Sequence, residues 1–316
     1  MFEVLEPGHL SSIQDAGREE YTDLGVPHGG ACDPWSLAAA NVLMNNEPGA
    51  AAVEITLGGL VLRCLRSCFI ALTGADLGAY LPDAYQRLGV GAVHAVSAGA
   101  SLAFRGGERG ARAYLALAGG VDAPVVLGSR SASLVGELPG LAGRGLGPGD
   151  VLEGVDLERS NLAGKSWPHD LVPLEVDTRA PIRLLPGPHE GHFPGGIVGS
   201  LTGAQWRVSP RSDRVGMRLT GPSLPVLDRP FVSQGMVWGA IQVPPDGQPI
   251  LLLPDHQTTG GYPVASVVIR ADRAVLGQLR PMDAVRFRAV SMEEAQEAQR
   301  SAERSLASVR GALHGA

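Results

Sequence analysis

The sequence contains very little lysine. Only one of its 26 basic residues is lysine, Lys165, and the others are arginine. The chain therefore has no second lysine for a Schiff base or for covalently attached biotin. Lys165 lies in Gly164-Lys165-Ser166, but the phosphate-binding pattern G-x-x-x-x-G-K-[ST] needs glycine at position 159, which is Arg159. A nucleotide-binding loop of that type is excluded.

Cysteine is also scarce, and long apolar runs are absent. Cys64 and Cys68 have no second pair with which to complete a zinc site, so we predict that they and Cys32 are reduced, mostly buried thiols. The N-terminus lacks the basic start and apolar stretch of a signal peptide, and no apolar run reaches 18 residues. We predict a cytoplasmic protein without a metal site or a membrane partner.

Positive charge is not concentrated anywhere along the chain. The formal net charge is −6, and no basic stripe alternates with aromatic residues, which argues against a nucleic-acid partner. A hydrophobic content of 44% and a charged content of 18% are typical of a globular protein. With 43 glycines, 24 prolines and 5% aromatic residues, the composition favours many turns and short strands over helical bundles.

Helical signals are few. Asp33-Pro34 predicts an N-cap followed by proline at the first helical position, with the helix continuing to Met44. A short helix is predicted over residues 272–279. Ser291 and Glu294 form a capping-box pattern that would open a terminal helix reaching about residue 310.

Most of the remaining chain has strand patterns separated by glycine-rich turns, residues 236–243 among them. Residues 147–152 and 280–285 each place a proline turn and an aspartate before a strand, which indicates two related halves. A proline-containing polar segment, residues 158–181, separates them. We predict an N-terminal β-barrel domain over residues 1–178, a C-terminal β-barrel domain over 179–290 and a helical tail over 291–316.

One loop near the C-terminus is unusually rich in functional groups. Asp255-His256-Gln257-Thr258-Thr259-Gly260-Gly261-Tyr262-Pro263 lies between two strongly apolar runs, where a turn would need only a few residues. The glycine pair would allow a positive φ or a close approach to a ligand. A long polar hairpin loop is the structural alternative, but binding or catalysis is the better interpretation.

Three other segments carry candidate binding groups. Gln14-Asp15-Ala16-Gly17-Arg18 could bind an amide or an acid, or could be an Asp-Gly turn with an exposed arginine. Gly128-Ser129-Arg130-Ser131 could bind an anion or an oxyanion, or could be a serine-rich loop. Arg214 and Arg218 would share one face of a strand and clamp an anion, or could pair with Asp213 or Asp228.

Two further patterns concern buried or paired groups. His189 and His192 are three apart on a Gly-Pro loop, not four apart on a helix, so a structural role is favoured over metal binding. Glu54 lies among apolar neighbours and needs a partner, for which an arginine from elsewhere in the chain is plausible. The sequence shows no Ser-His-Asp or Cys-His arrangement that would indicate a nucleophile.

In their order along the chain, these segments resemble the biotin-dependent carboxyltransferase / allophanate hydrolase subunit 2 family, from about Phe2 to Val290. The family includes the C-type subunit of the bacterial ATP-dependent 5-oxoprolinase and the antagonist of a sporulation kinase inhibitor. Ala132, His189 and Met282 depart from its usual threonine, glutamine and glycine. The resemblance is carried by Gln14-Asp15-x-Gly17-Arg18, Gly25-Val26-Pro27, Asp33 with Ala40-Asn41, Glu54, Gly74-Ala75, residues 114–120, Gly128-Ser129-Arg130-Ser131, residues 212–219, Gly239-Ala240-Ile241-Gln242-Val243-Pro244 and residues 255–262.

The resemblance implies a mainly β fold with two tandem cyclophilin-like barrels, a few short helices and a C-terminal helix. It implies one component of an ATP-dependent 5-oxoprolinase that acts with the A-type and the kinase-inhibitor-like B-type subunits to open the lactam of 5-oxoproline. The alternatives are a carboxyltransferase or allophanate hydrolase-type subunit acting on urea or another small amide, and a non-catalytic antagonist that binds a kinase-inhibitor-like partner. ATP would be used by the complex at a site that cannot be located in this chain, and biotin could act only in trans.

The implied site combines a catalytic and a substrate-binding set. Asp255 would be the general base, or His256 in its place, so Asp255→Asn should lower turnover at least about a hundredfold without affecting folding. Arg214 or Arg218 would bind the substrate carboxylate. The full set comprises Asp255, His256 and Gln257 as catalytic residues and Gln14, Asp15, Arg18, Glu54, Ser129, Arg130, Ser131, Arg214, Arg218, Gln242, Thr258, Thr259, Gly260, Gly261 and Tyr262 as binding residues.

Overall fold

The chain is organised as two compact units that interleave along the sequence. A computed structural model describes residues 1–135, 143–156, 162–227, 229 and 231–315. Unit 1 comprises residues 1–18, 29–176 and 303–316, and unit 2 comprises residues 19–28 and 177–302. Residues 158–161 of the predicted connecting segment lie outside the described residues. The linear division at residue 178 stays a prediction.

Unit 1 contains two antiparallel sheets, one complete α-helix and, from residue 303, the C-terminal part of the final helix. One sheet has the order β11-β12-β1-β4-β9-β6-β7 and the other the order β2-β3-β10-β5-β8. Its elements are β1 (Phe2–Pro7), β2 (Leu10–Gln14), α1 (Pro34–Leu43), β3 (Ala52–Thr56), β4 (Leu60–Cys64), β5 (Cys68–Gly74), β6 (Ala79–Leu81), β7 (Gln86–Arg87), β8 (Ala92–Val96), β9 (Ser101–Phe104), β10 (Arg112–Leu117), β11 (Val121–Asp122) and β12 (Val151–Gly154).

The central strand β10 shows how the core of unit 1 is arranged. Side chains alternate across a strand, and every residue of β10 is buried, so both faces of its sheet are covered. Leu115 and Leu117 join the core between the two sheets. Tyr114 and Ala116 join a second cluster on the opposite face, where α1 packs.

Unit 2 contains an eight-stranded sheet of order β21-β14-β15-β18-β17-β20-β13-β22 and a short two-stranded ribbon, β16-β19. The outermost strands β21 and β22 are separated in the chain only by Arg286, so this sheet is a nearly closed barrel. Its elements are β13 (Ile182–Pro186), α2 (Ile197–Thr202), β14 (Trp206–Val208), β15 (Gly216–Thr220), β16 (Gln234–Gly235), β17 (Ala240–Gln242), β18 (Ile250–Leu252), β19 (Thr259–Gly260), β20 (Val264–Val268), α3 (Arg273–Gln278), β21 (Ala284–Val285) and β22 (Phe287–Ala289).

The predicted helices are present. Asp33 caps α1 by accepting the backbone N–H of Ser36 at 2.9 Å, and α3 occupies the predicted short helix. The capping box is complete: Ser291 N donates to Glu294 at 2.9 Å, and Glu294 N donates to Ser291 Oγ at 3.1 Å. It opens the final helix α4 (Met292–His314). The mainly β class and the C-terminal helix are confirmed.

The two proline turns that suggested related halves have the same local structure. Asp150 N donates to Gly147 O at 3.2 Å, and Asp283 N donates to Arg280 O at 3.1 Å. In each turn the aspartate carboxylate also accepts the N–H of the first turn residue, at 2.7 Å from Gly147 and 2.8 Å from Arg280. The third residue has a positive φ in both, 86° at Gly149 and 74° at Met282.

One predicted strand is wrong. Residues 236–243 do not form a continuous strand, because a turn at residues 237–240 interrupts it and only Ala240–Gln242 belongs to β17. Gly239 has φ 95°, and a Cβ there would lie 3.1 Å from Val268 O. This turn places Trp238 outside the sheet, with its ring centroid 6.0 Å from that of His28.

Candidate functional site

The loop between β18 and β20 is anchored by a buried ion pair. Arg214 Nε lies 2.8 Å from Asp255 Oδ2, and Arg214 Nη2 lies 3.1 Å from Oδ1. The Asp255 side chain is 0% exposed and that of Arg214 is 3% exposed. Backbone pairing reinforces the contact, since Asp255 N donates to Arg214 O at 3.1 Å. With both oxygens held by the guanidinium, Asp255 fixes the loop and is poorly placed to accept a proton from a substrate.

His256 is the better placed base. It is buried, and its Nδ1 lies 2.7 Å from Gln257 O. A carbonyl oxygen only accepts hydrogen bonds, so Nδ1 carries the proton and Nε2 keeps its lone pair in the neutral ring. Burial is the main cause that lowers the pKa of His256, and the charges of His28 and Arg273 lower it further. The imidazole is therefore neutral at pH 7.

Beside His256 the side-chain amides form a short chain. Gln257 Nε2 donates to Gln242 Oε1 at 3.2 Å, and Gln242 Nε2 donates to Tyr262 O at 3.2 Å. Gln242 is buried and Gln257 is exposed, so the inner amide orients the outer one. Tyr262 is 44% exposed. An oriented, accessible primary amide can pair with the C=O and N–H of another amide.

The rest of the loop forms the β16-β19 ribbon. Thr259 pairs with Gly235 and Gly260 with Gln234, and Thr258 O accepts Met236 N at 2.8 Å. Gly260 is required by close packing, because a Cβ there would lie 2.6 Å from Gln242 Nε2. Neither Gly260 nor Gly261 has the positive φ that the sequence suggested as one possibility.

His189 buttresses this ribbon. Its Nδ1 accepts the backbone N–H of Val264 at 2.9 Å, and its Nε2 lies 3.1 Å from Gln234 Oε1. The first contact identifies Nε2 as the protonated nitrogen. His189 also packs edge-on against Phe231, with ring centroids 4.9 Å apart. The histidine thus holds β16 and the start of β20 together, in agreement with a structural role.

The predicted arginine clamp is not formed. Arg218 is an exposed residue of β15, whereas Arg214 precedes the strand and is buried against Asp255. The regular alternation that would place both on one face therefore does not extend back to Arg214. Asp213, one alternative partner, accepts the backbone N–H groups of Val215 and Gly216 at 2.8 and 3.0 Å. Asp228, the other, lies outside the described residues.

In unit 1 the predicted binding residues are largely engaged with one another. Asp15 Oδ1 accepts Gly17 N at 2.8 Å and Ser129 Oγ at 2.6 Å, and Asp15 also accepts Ser131 Oγ and the backbone N–H of Arg130. The Arg130 side chain pairs with Asp122 at 2.9 Å. These contacts tie the end of β2 to residues 129–131. The serine hydroxyls serve the fold of unit 1 instead of presenting a free anion site.

Gln14 and Arg18 are buried in the same region. Arg18 is 1% exposed, which excludes the exposed arginine of the turn alternative. Its Nε donates to Val126 O at 3.1 Å and its Nη2 to Ser131 O at 2.6 Å. Gln14 Nε2 donates to Ser12 Oγ at 3.0 Å and to Ala132 O at 3.1 Å.

Glu54 has the arginine partner that its burial requires. Arg112 Nε lies 3.4 Å from Glu54 Oε1, Tyr114 Oη donates to Oε2 at 2.6 Å and Cys32 N donates to Oε2 at 2.8 Å. Burial, and then the Glu54 charge, raise the pKa of Tyr114 well above its usual value. This network joins β3 and β10 to the segment that leads into α1.

Sequence reasoning missed a group of residues near the loop. Arg273 lies over the Trp238 ring, with its Cζ 4.6 Å from the ring centroid, and the His28 ring centroid is 6.0 Å from that of Trp238. All three residues belong to unit 2. The sequence pattern places Trp238 in a strand and Arg273 in a short helix, and neither position carries a motif that indicates binding.

Two features of the described residues bear on the kind of site. Within the described ranges, no group of three or more histidine, cysteine, aspartate or glutamate side chains is placed to hold a metal ion. None of the helices in that part of the chain combines the length and the hydropathy that a membrane span requires.

Comparison with known proteins identifies the family. Residues 24–289 match the carboxyltransferase domain, subdomain A and B. The chain is 36% identical to the C-type subunit of 5-oxoprolinase from Escherichia coli over 315 residues, which cover 99% of both chains. It is 32% identical to urea amidolyase of Lachancea kluyveri, covering 96% of this chain and 18% of that protein. The crystal structure of urea amidolyase from K. lactis matches 98% of this chain and 20% of its own, with a TM-score of 0.89 and 30% identity. The chain is a member of the carboxyltransferase domain family.

Proposed function

We propose that this chain is the C-type subunit of an ATP-dependent 5-oxoprolinase and acts with A-type and B-type partner subunits. The observation that carries the proposal is the coverage of the match. The chain and the C-type subunit of E. coli cover 99% of each other, whereas the region shared with urea amidolyase is only 18% of that protein. The oriented amides and neutral imidazole of the 255–262 loop are suited to a small cyclic amide.

The reaction would convert 5-oxoproline, ATP and two waters into glutamate, ADP and phosphate. The complex would activate the lactam by phosphorylating its amide oxygen, and no residue of this chain is assigned to the ATP site. A lactam presents a carbonyl acceptor and an N–H donor side by side. Gln257, held by Gln242, offers the complementary donor and acceptor.

His256 would act as general base in this scheme. Its Nε2 takes a proton from the water that attacks the activated carbon, and the ring C–N bond breaks as the nitrogen takes up a proton. The resulting acyl phosphate is then hydrolysed by the second water to glutamate and phosphate. The neutral state set by burial is the state such a base requires. Asp255 has a positioning role, because its ion pair with Arg214 holds His256 and Gln257 in place.

The test is glutamate formation by this chain combined with its A-type and B-type partners, with and without 5-oxoproline. We expect ATP hydrolysis that needs all three components and the lactam. His256→Gln should reduce turnover about 10²- to 10⁴-fold, as loss of a general base does. His9→Gln, which removes an exposed histidine, should stay within twofold of the parent.

The pH profile provides a second readout. Since the pKa of His256 is lowered below the ordinary value of about 6.5, the parent should lose activity only below about pH 6.5, as the imidazole becomes protonated. This acid limb should be missing from the residual activity of His256→Gln. Turnover of the variant within a few-fold of the parent would remove His256 from the mechanism. Failure of the complete mixture to form glutamate would contradict the proposed function.

The family match keeps one alternative open, namely carboxyl transfer on urea or another small amide. Biotin supplied in trans would bring the carboxyl group. Its ureido ring is a cyclic urea with a C=O and an N–H side by side, so Gln257, held by Gln242, fits it by the same pairing. Biotin-dependent turnover of urea without a response to 5-oxoproline would favour this alternative. A stable complex that turns over neither substrate would favour the non-catalytic antagonist.

A further inference from the structure

Arg273 differs from Arg214 and Arg183 of the same unit in how its guanidinium charge is accommodated. Arg214 and Arg183 are bound by the carboxylates of Asp255 and Asp272. Among the described residues, no carboxylate forms an ion pair with the guanidinium of Arg273, which instead lies over the Trp238 ring. Nearby Glu19 pairs with Arg270, at 4.0 Å between two exposed side chains.

Two buried donors of this pair have no hydrogen-bond partner among the described residues. They are Nε of Arg273 and Nε1 of Trp238. Trp238 is only 6% exposed, so bulk water does not solvate its indole N–H. Arg273 uses Nη2 to donate to Trp238 O at 3.0 Å. A buried donor without an acceptor destabilises the fold, so two such donors in contacting side chains are best explained by a ligand that accepts from both.

Charge defines the class of that ligand. Burial, followed by the charge of Arg270, lowers the pKa of Arg273 to about 10, which still leaves the guanidinium protonated at pH 7. A desolvated planar guanidinium beside an N–H donor suits an anion with two acceptor oxygens in one plane. A carboxylate has that shape.

The cluster lies within electrostatic range of the proposed base. The Arg273 charge acts on His256, and His28, which also acts on His256, lies beside the Trp238 ring. The backbone at Arg273 is held in place by its neighbour Asp272, whose carboxylate accepts Arg183 N at 2.7 Å and Arg183 Nε at 3.1 Å. A small acid bound here would therefore present its remaining atoms near His256.

We infer that Arg273 and Trp238 form the subsite for the substrate carboxylate, the role that the sequence predicts for Arg214 or Arg218. The identification of that carboxylate with 5-oxoproline rests on the proposed function, whereas the preference for a small carboxylate does not. The guanidinium supplies the charge, the indole N–H supplies a second donor, and His256 and Gln257 then meet the amide of the same molecule.

The experiment is a ligand-observed NMR titration of the full chain with three small molecules. They are 5-oxoproline, 2-pyrrolidinone (the same lactam without the carboxylate) and N-carbamoylglycine (a urea-derived carboxylate). We expect 5-oxoproline to bind at least tenfold more tightly than 2-pyrrolidinone. Arg273→Met should weaken its binding about 10- to 100-fold, as loss of a charge-assisted hydrogen bond does.

Two further variants separate recognition from folding. Trp238→Phe keeps the ring under the guanidinium but removes the N–H, and should weaken binding about two- to tenfold. Arg211→Met, the matched loss of an exposed arginine in the same unit, should leave binding within twofold. Circular dichroism checks each variant, and Arg273→Lys, which keeps the charge but loses the fork, replaces Arg273→Met if the latter does not fold. The lysine variant should bind at least fivefold more weakly than the parent.

The outcomes separate this inference from the proposed function. Equal binding of 5-oxoproline and 2-pyrrolidinone, unchanged affinity in the folded Arg273 and Trp238 variants, or no binding of either carboxylate would overturn the subsite. Arg273-dependent binding of N-carbamoylglycine without binding of 5-oxoproline would uphold the subsite and contradict the proposed substrate.

Discussion

At the scale of single residues, the ion pair between Asp255 and Arg214 changes the expected effect of Asp255→Asn on stability. A carboxylate in a conspicuous polar loop is a reasonable base when only the sequence is known. In the structure Asp255 is fully buried and held by two guanidinium nitrogens. We now expect Asp255→Asn to lower stability by about 3–5 kcal/mol, because the buried Arg214 charge would lose its ion pair with the Asp255 carboxylate.

Denaturant unfolding of the chain alone measures this effect. Asp23→Asn, which removes an exposed carboxylate of the same unit, is the control and should change stability by less than about 0.5 kcal/mol. Removing both charges with Arg214→Met and Asp255→Leu should recover part of the loss, since neither charge of the buried ion pair then remains. Unchanged stability in Asp255→Asn would restore Asp255 as the candidate base.

Residue-scale prediction succeeded where a requirement was local and failed where the partner was distant. The apolar neighbours of Glu54 were enough to predict an arginine, and Arg112 supplies it. Arg214 and Asp255 are 41 positions apart, and no sequence pattern pairs them. Arg273 was missed for a related reason. Its proposed role depends on its contact with the Trp238 ring, which is distant in sequence.

At the scale of elements, the turn before β21 contains a residue with a strained backbone conformation, which a glycine substitution would relieve. Pro281 and Met282 occupy the middle of a four-residue turn in which the third position has φ 74°. A type II turn favours glycine there, and the equivalent position of the related turn is Gly149. A positive φ costs a residue with a Cβ about 1–2 kcal/mol, and the greater freedom of glycine in the unfolded chain offsets part of that gain.

We therefore expect Met282→Gly to stabilise the chain by about 0.5–1 kcal/mol. Met282 is 57% exposed, so little buried surface is lost with its side chain. Thermal unfolding measures the change. Met282→Ala is the suitable control, since it shortens the side chain without relieving the backbone. Equal effects of the two substitutions would contradict the explanation.

Element prediction depended on which signals are local. Helix caps depend on a few adjacent residues, so the Asp33 cap and the Ser291–Glu294 capping box could be predicted from the sequence. The strand predicted over residues 236–243 followed its apolar composition. It failed because the left-handed backbone at Gly239 turns the chain at Trp238, which tertiary packing against Val268 requires.

At the scale of the whole molecule, the mainly β class could be predicted because turns and short strands leave a clear compositional signature. The site could be predicted only in part. The 255–262 loop is contiguous, whereas His28, Trp238 and Arg273 come from separate stretches of unit 2 and are brought together by its fold. Such a cluster has no signature in the order of residues.

The interleaving of the two units constrains how this protein can be recombined with its relatives. The chain passes from one unit to the other four times, after residues 18, 28, 176 and 302. A chimera joined at a single crossover near residue 178 would leave residues 19–28 and 303–316 from the wrong parent in each unit. Exchange of a complete unit requires all four junctions. We therefore expect single-crossover hybrids with distant relatives to be less stable than four-junction hybrids, which a comparison of their soluble yield and melting temperature would test.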